Sequence, residues 1–163
     1  MSQKNVLKTF VVLLVVCGAI GSALAQMPNP YGIAISLENA KKATAPALAE
    51  ATKNNWTMAV AIVGPAGNLI YYEKMDNTQL GSAEVAIEKA RTAAMFKRPT
   101  KAFQDALAAG GDGLRVLSLK GVTPIEGGIP LVMDGKIVGA IGVSGGTSAQ
   151  DGQCAKAGAD TVK

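Results

Sequence analysis

None of the 163 residues is a histidine, so the commonest general base and metal ligand near neutral pH is missing. Neither a Ser-His-Asp nor a Cys-His arrangement can be built. Two cysteines, Cys17 and Cys154, are too few for zinc sites of the usual His/Cys kinds. The carboxylates nearest to turns are Asp76, Glu126 and Asp151. Nothing in their spacing brings two of them together as an acid–base pair.

The groups that remain suit binding. At 100° per residue Val85, Lys89, Thr92 and Phe96 fall on one helical stripe, which mixes apolar, cationic and hydroxyl groups. An ammonium in that company needs an anionic partner or water. The partner is either a ligand carboxylate or an internal carboxylate, with Glu126 and Asp151 as the candidates. The alternative is a helix edge with a snorkelling lysine. Gly142-Val143-Ser144-Gly145-Gly146 follows an apolar run and precedes a helix, where backbone N–H groups can hold an anion. A plain strand-to-helix turn is the simpler reading, and no P-loop or dinucleotide fingerprint occurs there. Gly127-Gly128-Ile129-Pro130 opens a strand, where glycines permit close approach of a ligand or form a bulge. The expected pocket lies between the Lys89/Thr92 edge and this strand start. Its candidate residues are Lys89, Thr92, Thr123, Glu126, Gly127, Gly128, Ser144 and Gly145.

Several elements must position these groups. Ser36 caps a first helix whose stripe is Leu37, Ala40, Lys41, Ala47, Leu48 and Ala51. Pro46 is expected to kink or split it, and Asn54-Asn55 ends it. Trp56–Val63 and Leu69–Met75 flank turn chemistry at residues 64–68 and read as a hairpin. Ser82 caps a helix to about Phe96, with Ala83, Ala86, Ala90, Ala93 and Ala94 on one face. Pro99 stops it and Thr100 caps the next, to about Ala109. Leu114–Leu119 is expected as a short strand. Asp134-Gly135 between alternating apolar runs is a strong hairpin signal, and a last helix follows Ser148. Hairpins without crossovers imply an antiparallel sheet, with helices on one or both faces.

The N-terminus reads as a secretory signal. Lys4 and Lys8 are its positive region, Phe10–Ile20 is its apolar stretch, and Ala23-Leu24-Ala25 is its cleavage site before Gln26. A periplasmic or secreted location follows, with an extended arm over residues 26–35, a domain over 36–163 and no membrane attachment after cleavage. Cleavage removes two lysines and leaves 14 basic against 12 acidic residues. That charge is too weak and scattered for nucleic acid. It also leaves Cys154 alone, either as a small buried hydrophobe or as a free thiol for intermolecular pairing. Few aromatic residues and small apolar helix faces suggest a homo-oligomer, a dimer or a higher even number.

The stretch from Val60 to Ala159 resembles the GlcG/HbpS haem-binding-like family. The resemblance rests on Ala61–Leu69 with Lys74-Met75-Asp76, Lys89-Ala90-Arg91-Thr92-Ala93, Gly127-Gly128-Ile129-Pro130, and Gly139–Gly145 with Asp151. The family often has Asp where Gly64 sits and Arg where Lys74 sits. The resemblance implies an α/β (α+β) fold, profilin-like, with an antiparallel sheet of about five strands flanked by helices. It implies binding of haem or a related tetrapyrrole at a subunit interface, and not a self-contained enzyme. Thr123, in the loop before Gly127, is the axial-ligand candidate that the resemblance offers. The alternative is an enzyme or accessory protein handling a small organic acid, a glycolate-type carboxylate.

Overall fold

The computed structural model describes residues 29–163. The signal-peptide reading of residues 1–25 and the start of the arm lie outside the described residues. The described chain runs α1 (Leu37–Lys53), β1 (Ala59–Val63), β2 (Leu69–Lys74), α2 (Ser82–Phe96), α3 (Lys101–Ala109), a 3₁₀ helix (Gly111–Ser118), β3 (Gly128–Met133), β4 (Lys136–Ser144) and α4 (Ser148–Ala159). Among the described residues no helix is long and apolar enough to cross a membrane.

The sheet has four strands in the order β2-β1-β4-β3, with every neighbouring pair antiparallel. The expected fifth strand is absent, because Leu114–Leu119 is mostly 3₁₀ helix. The local sequence explains the difference. Gly110 and Gly111 both take positive φ, and Leu117 breaks the alternation that Leu114 and Val116 begin while standing three residues from Leu114. A fragment of further pairing comes instead from the arm. Gly32 N–H donates to Ile137 O at 2.9 Å, Ile137 N–H to Pro30 O at 2.9 Å, and Ile35 N–H to Val138 O at 2.8 Å. The arm thus runs beside β4 where β1, whose last partner there is Ala140, has ended.

Alternation along the two central strands sorts the core into two layers. Val60, Ile62, Ile141 and Val143 point to α1 and α4 and meet Ala43, Ala47, Ala51, Cys154 and Ala155. Ala59, Ala61, Val63 and Ala140 point the other way, toward Ala86, Ala90, Ala93 and Ala94 of α2. This second layer is thin because both surfaces carry almost nothing beyond Cβ. Gly142 is its extreme point, since an added Cβ would collide with the Ala86 carbonyl and the Ala90 nitrogen.

Three expectations about helix starts and breaks change. Pro46 lies inside α1 without splitting it. The carbonyl it leaves unbonded belongs to exposed Lys42, and Ala43, Ala47 and Ala51 still anchor the buried side. Gly81, not Ser82, is the cap residue of α2, and the Ser82 hydroxyl accepts from Ser144 Oγ at 3.3 Å. Thr100 sits at the cap position of α3 but makes no side-chain cap there. Its Oγ1 accepts the Gly128 N–H at 2.9 Å instead. Ser36 caps α1 as expected, Thr147 closes a capping box on α4, and Asp134-Gly135 forms the β3–β4 turn with φ of 50° and 71°.

Gly142→Ala tests the thin layer. We expect a loss of at least about 3 kcal/mol, at the upper end for overpacking of a filled core, read by urea unfolding. Gly81→Ala, with nothing near its added Cβ and no positive φ, should cost less than half as much.

Candidate functional site

Lys89 is 1 % exposed and Asp151 3 %. Lys89 is carried on the sheet-facing side of α2, and Asp151 lies in the first turn of α4. Their charged atoms meet at 2.6 Å, and Lys89 Nζ also donates to the Val143 carbonyl of β4 at 3.1 Å. The other Asp151 oxygen accepts the Gly146 N–H at 3.0 Å. Burial pushes the Asp151 carboxyl above its usual range, and the Lys89 ammonium and the Gly145 and Gly146 N–H groups oppose that push. Of the readings open for Lys89, the structure shows the internal ion pair, with Asp151 and not Glu126 as the partner.

Gly127 covers this pair. Its φ is 129°, and an added Cβ would stand 2.6 Å from Val143 O and 2.9 Å from Lys89 Nζ. The Val143 N–H donates to Gly127 O at 2.9 Å. Gly128 lies against the backbone of Lys89 and is clamped by Thr100 through both its N–H and its carbonyl. The glycines at the strand start therefore let the chain pass directly over the buried charges.

On the outer side of the same glycines is a cavity of about 150 Å³. Glu126, Gly127, Gly128, Ile129 and Gly152 wall it, with Lys101 and Lys156 at its mouth. The Glu126 carboxylate packs so tightly on α4 that an added Cβ at Gly152 would lie 2.5 Å from Oε1. Sequence reasoning missed Lys101 and Lys156. Each has an acidic residue four positions on, Asp105 and Asp160, and forms that exposed pair at 2.7 Å. The only signal for them was their place beside the glycines, which is a tertiary fact.

The other candidates are dispersed. Thr92 is fully buried and fixes the loop above it. Its hydroxyl donates to Gly121 O at 3.3 Å and accepts the Thr123 N–H at 2.9 Å. Thr123 is half-buried. Ser144 bonds Ser82 in the interior, and Gly145 is pressed against the Thr57 carbonyl. The structure thus brings Glu126, Gly127 and Gly128 to one cavity and sets Lys89 behind its wall. Thr92, Ser144 and Gly145 serve internal bonds and packing. Among the described residues, no group of three or more acidic or cysteine side chains is placed to hold a metal ion. Cys154 is buried and unpaired, and burial pushes its thiol up to about 11.

A family model described as haem degrading protein HbpS-like matches residues 35–160. The chain belongs to this family. It is 40 % identical over 95 residues to protein GlcG of Escherichia coli K12, a match spanning 58 % of this chain and 69 % of GlcG. The crystal structure of HbpS superposes with a TM-score of 0.73 at 31 % identity, covering 81 % of this chain and 92 % of that one. A PduOC–haem complex superposes with a TM-score of 0.70 at 28 % identity, covering 78 % and 94 %. The HbpS-like fold is therefore shared across nearly the whole of the described chain.

Lys89→Met separates a structural role from a ligand role. It leaves a buried carboxylate without its cation, and we expect a loss of about 3–5 kcal/mol in urea unfolding of the ligand-free protein. Adding Asp151→Leu should recover more than half of that loss, because the stranded charge is then gone.

Proposed function

We propose that this chain binds haem, as an exported homo-oligomeric binding protein. The observation that carries the reading is membership of the HbpS-like family, together with the haem bound by its structural relative PduOC. Exposed apolar residues support a place for such a ring. A cavity of about 150 Å³ is well below the few hundred Å³ typical of ligand pockets, so a tetrapyrrole must lie elsewhere. Leu114, Leu117, Leu119 and Ile125 are all exposed on the 3₁₀ helix and the loop after it. Residues three apart eclipse one another on a 3₁₀ helix, so Leu114 and Leu117 form one apolar face.

Thr123 belongs to that loop. Its N–H is fixed by buried Thr92, and among the described residues nothing bonds its hydroxyl. In a chain without histidine, this oxygen would hold the haem iron. The bound haem would supply iron chemistry. The protein's part is to shelve the ring on leucines and orient one hydroxyl. A shelf so exposed is completed by a second copy of the chain, which is the basis for the proposed dimer or higher even assembly.

The cavity itself favours a second reading. Its size suits a small organic acid, whose carboxylate would compete with Asp105 and Asp160 for the two exposed ammonium groups. Glu126, Gly127 and Gly128 would form its wall, Lys89 would support that wall, and Thr92, Ser144 and Gly145 would hold the flanking loops.

Titration with haemin should give a Soret band, and Thr123→Ala should weaken binding about tenfold, or about 1.4 kcal/mol. Leu117→Glu should yield monomers by light scattering and lose haem. Failure of the wild type to develop a Soret band defeats the haem reading. Thermal stabilisation by small carboxylates alone, abolished by Lys101→Glu, would establish the second one.

Export has its own measurement. The secreted protein should begin at Gln26 by intact mass, and a species still beginning at Met1 would contradict it.

A further inference from the structure

The arm, the β1–β2 turn and the last turn of α2 enclose an open dish of about 500 Å³, lined by Tyr31, Pro65, Ala66 and Met95. It shares no residue with the cavity at Glu126 or with the leucine shelf. Met95 is 56 % exposed and Tyr31 44 %, so two large apolar side chains sit side by side in solvent. Both are held in place. The Tyr31 hydroxyl donates to the carbonyls of Ala94 and Met95, each at 3.0 Å, which pins the ring to the C-terminus of α2. The β1–β2 turn is drawn in by Arg91, whose Nε donates to Gly67 O at 3.1 Å. Gly67, at φ 82°, comes so near that an added Cβ would lie 3.3 Å from Met95 Sδ.

One cation lies next to the dish, behind its lining residue Tyr31. Lys97 Nζ stands 4.3 Å from the centre of the Tyr31 ring and donates to Asn29 O. Among the described residues it pairs with no carboxylate. Lys97 also holds a left-handed backbone, φ 52°, at the end of α2. That position favours glycine or asparagine, so the local backbone gives no reason for a lysine there. Its ammonium is set beside an aromatic face with bonding capacity to spare.

We propose that this dish is a second ligand site, for a planar aromatic anion whose ring lies on Pro65, Ala66 and Met95 and whose acid group faces Lys97. The rigid floor supplies a flat apolar contact, and the unpaired cation supplies the charge complement. The Tyr31 hydroxyl is committed to the helix carbonyls, and burial pushes its pKa up, so it stays a neutral phenol and adds no repelling charge. The site does not depend on haem binding.

The test uses the full chain, with 8-anilinonaphthalene-1-sulfonate as the fluorescent probe and 2-naphthoate as competitor. Lys97→Gly suits the left-handed backbone, so folding is retained while the cation is lost. Met95→Glu puts a carboxylate into the floor. Leu117→Glu is the control for the other exposed apolar surface. The proposal expects probe binding that 2-naphthoate displaces and neutral naphthalene does not. It expects at least a tenfold loss of affinity in Lys97→Gly, no binding to the dish in Met95→Glu, and no change at the dish in Leu117→Glu. It also expects the haemin affinity of Lys97→Gly and Met95→Glu to match the wild type. Equal probe affinity in all four proteins overturns it, as does equal competition by naphthalene. A wild type that binds no probe, but whose oligomer dissociates on Met95→Glu, makes the dish a contact between copies and also overturns it. Loss of haemin binding in both dish variants overturns the separation of the two sites.

Discussion

A lysine ammonium and an aspartate carboxylate, both withdrawn from water, join three elements that the chain supplies far apart. Lys89 comes from α2, Asp151 from α4, and the Val143 carbonyl from β4 between them. Stripping two charges of solvent costs several kcal/mol for each ion, and their attraction compensates only if the geometry is good and the remaining bonds are made. Here they are made, because Val143 O and the Gly146 N–H complete the set. The pair is thus less a source of net stability than a condition on where α2 and α4 can sit. Any slide of either helix would leave a bare charge inside.

The backbone over the pair follows from that condition. The chain entering β3 must cross directly above Lys89 Nζ, and Gly127 is the residue that does so, in a conformation where a side chain would strike Val143 O. Gly128 repeats the constraint one step on, against the Lys89 backbone, and the Thr100 hydroxyl is diverted from helix capping to hold it. The outward cavity at Glu126 is therefore formed by the far side of a wall whose near side touches the ion pair. Its shape is set from within.

The sequence revealed the parts whose signals are local. Strand alternation, the Asp134-Gly135 turn, the Ser36 cap and the alanine stripe of α2 could all be read from short spacings. The odd placement of Lys89 was legible too, because a cation on a stripe with Val85 and Phe96 demands a partner, and Asp151 was one of two candidates. What failed was non-local or competitive. Thr100 has the type and position of a cap, and nothing in its neighbourhood announces that Gly128, 28 residues on, takes its hydroxyl. Leu114–Leu119 looked like a strand because apolar content outweighed the two glycines with positive φ before it. Pro46 looked like a break because the packing of Ala43, Ala47 and Ala51 against the sheet is invisible locally. Lys101 and Lys156 were silent, since each has a nearby aspartate that accounts for it.

The alanine-and-glycine layer between α2 and the sheet has a consequence for how this sequence can vary. On the α1/α4 side helical alanines meet Val, Ile, Leu and Met from the sheet, and the volumes of those larger residues can be exchanged among neighbours, so one can shrink while another grows. On the α2 side that exchange is nearly closed. Ala86, Ala90, Ala93 and Gly142 stand at the lower limit of side-chain size, and a larger residue at one cannot be offset by a smaller one at the next. Drift in sequence will therefore be absorbed by one face of the sheet and refused by the other. A library that randomises the two faces equally should recover diversity almost wholly from the aliphatic side.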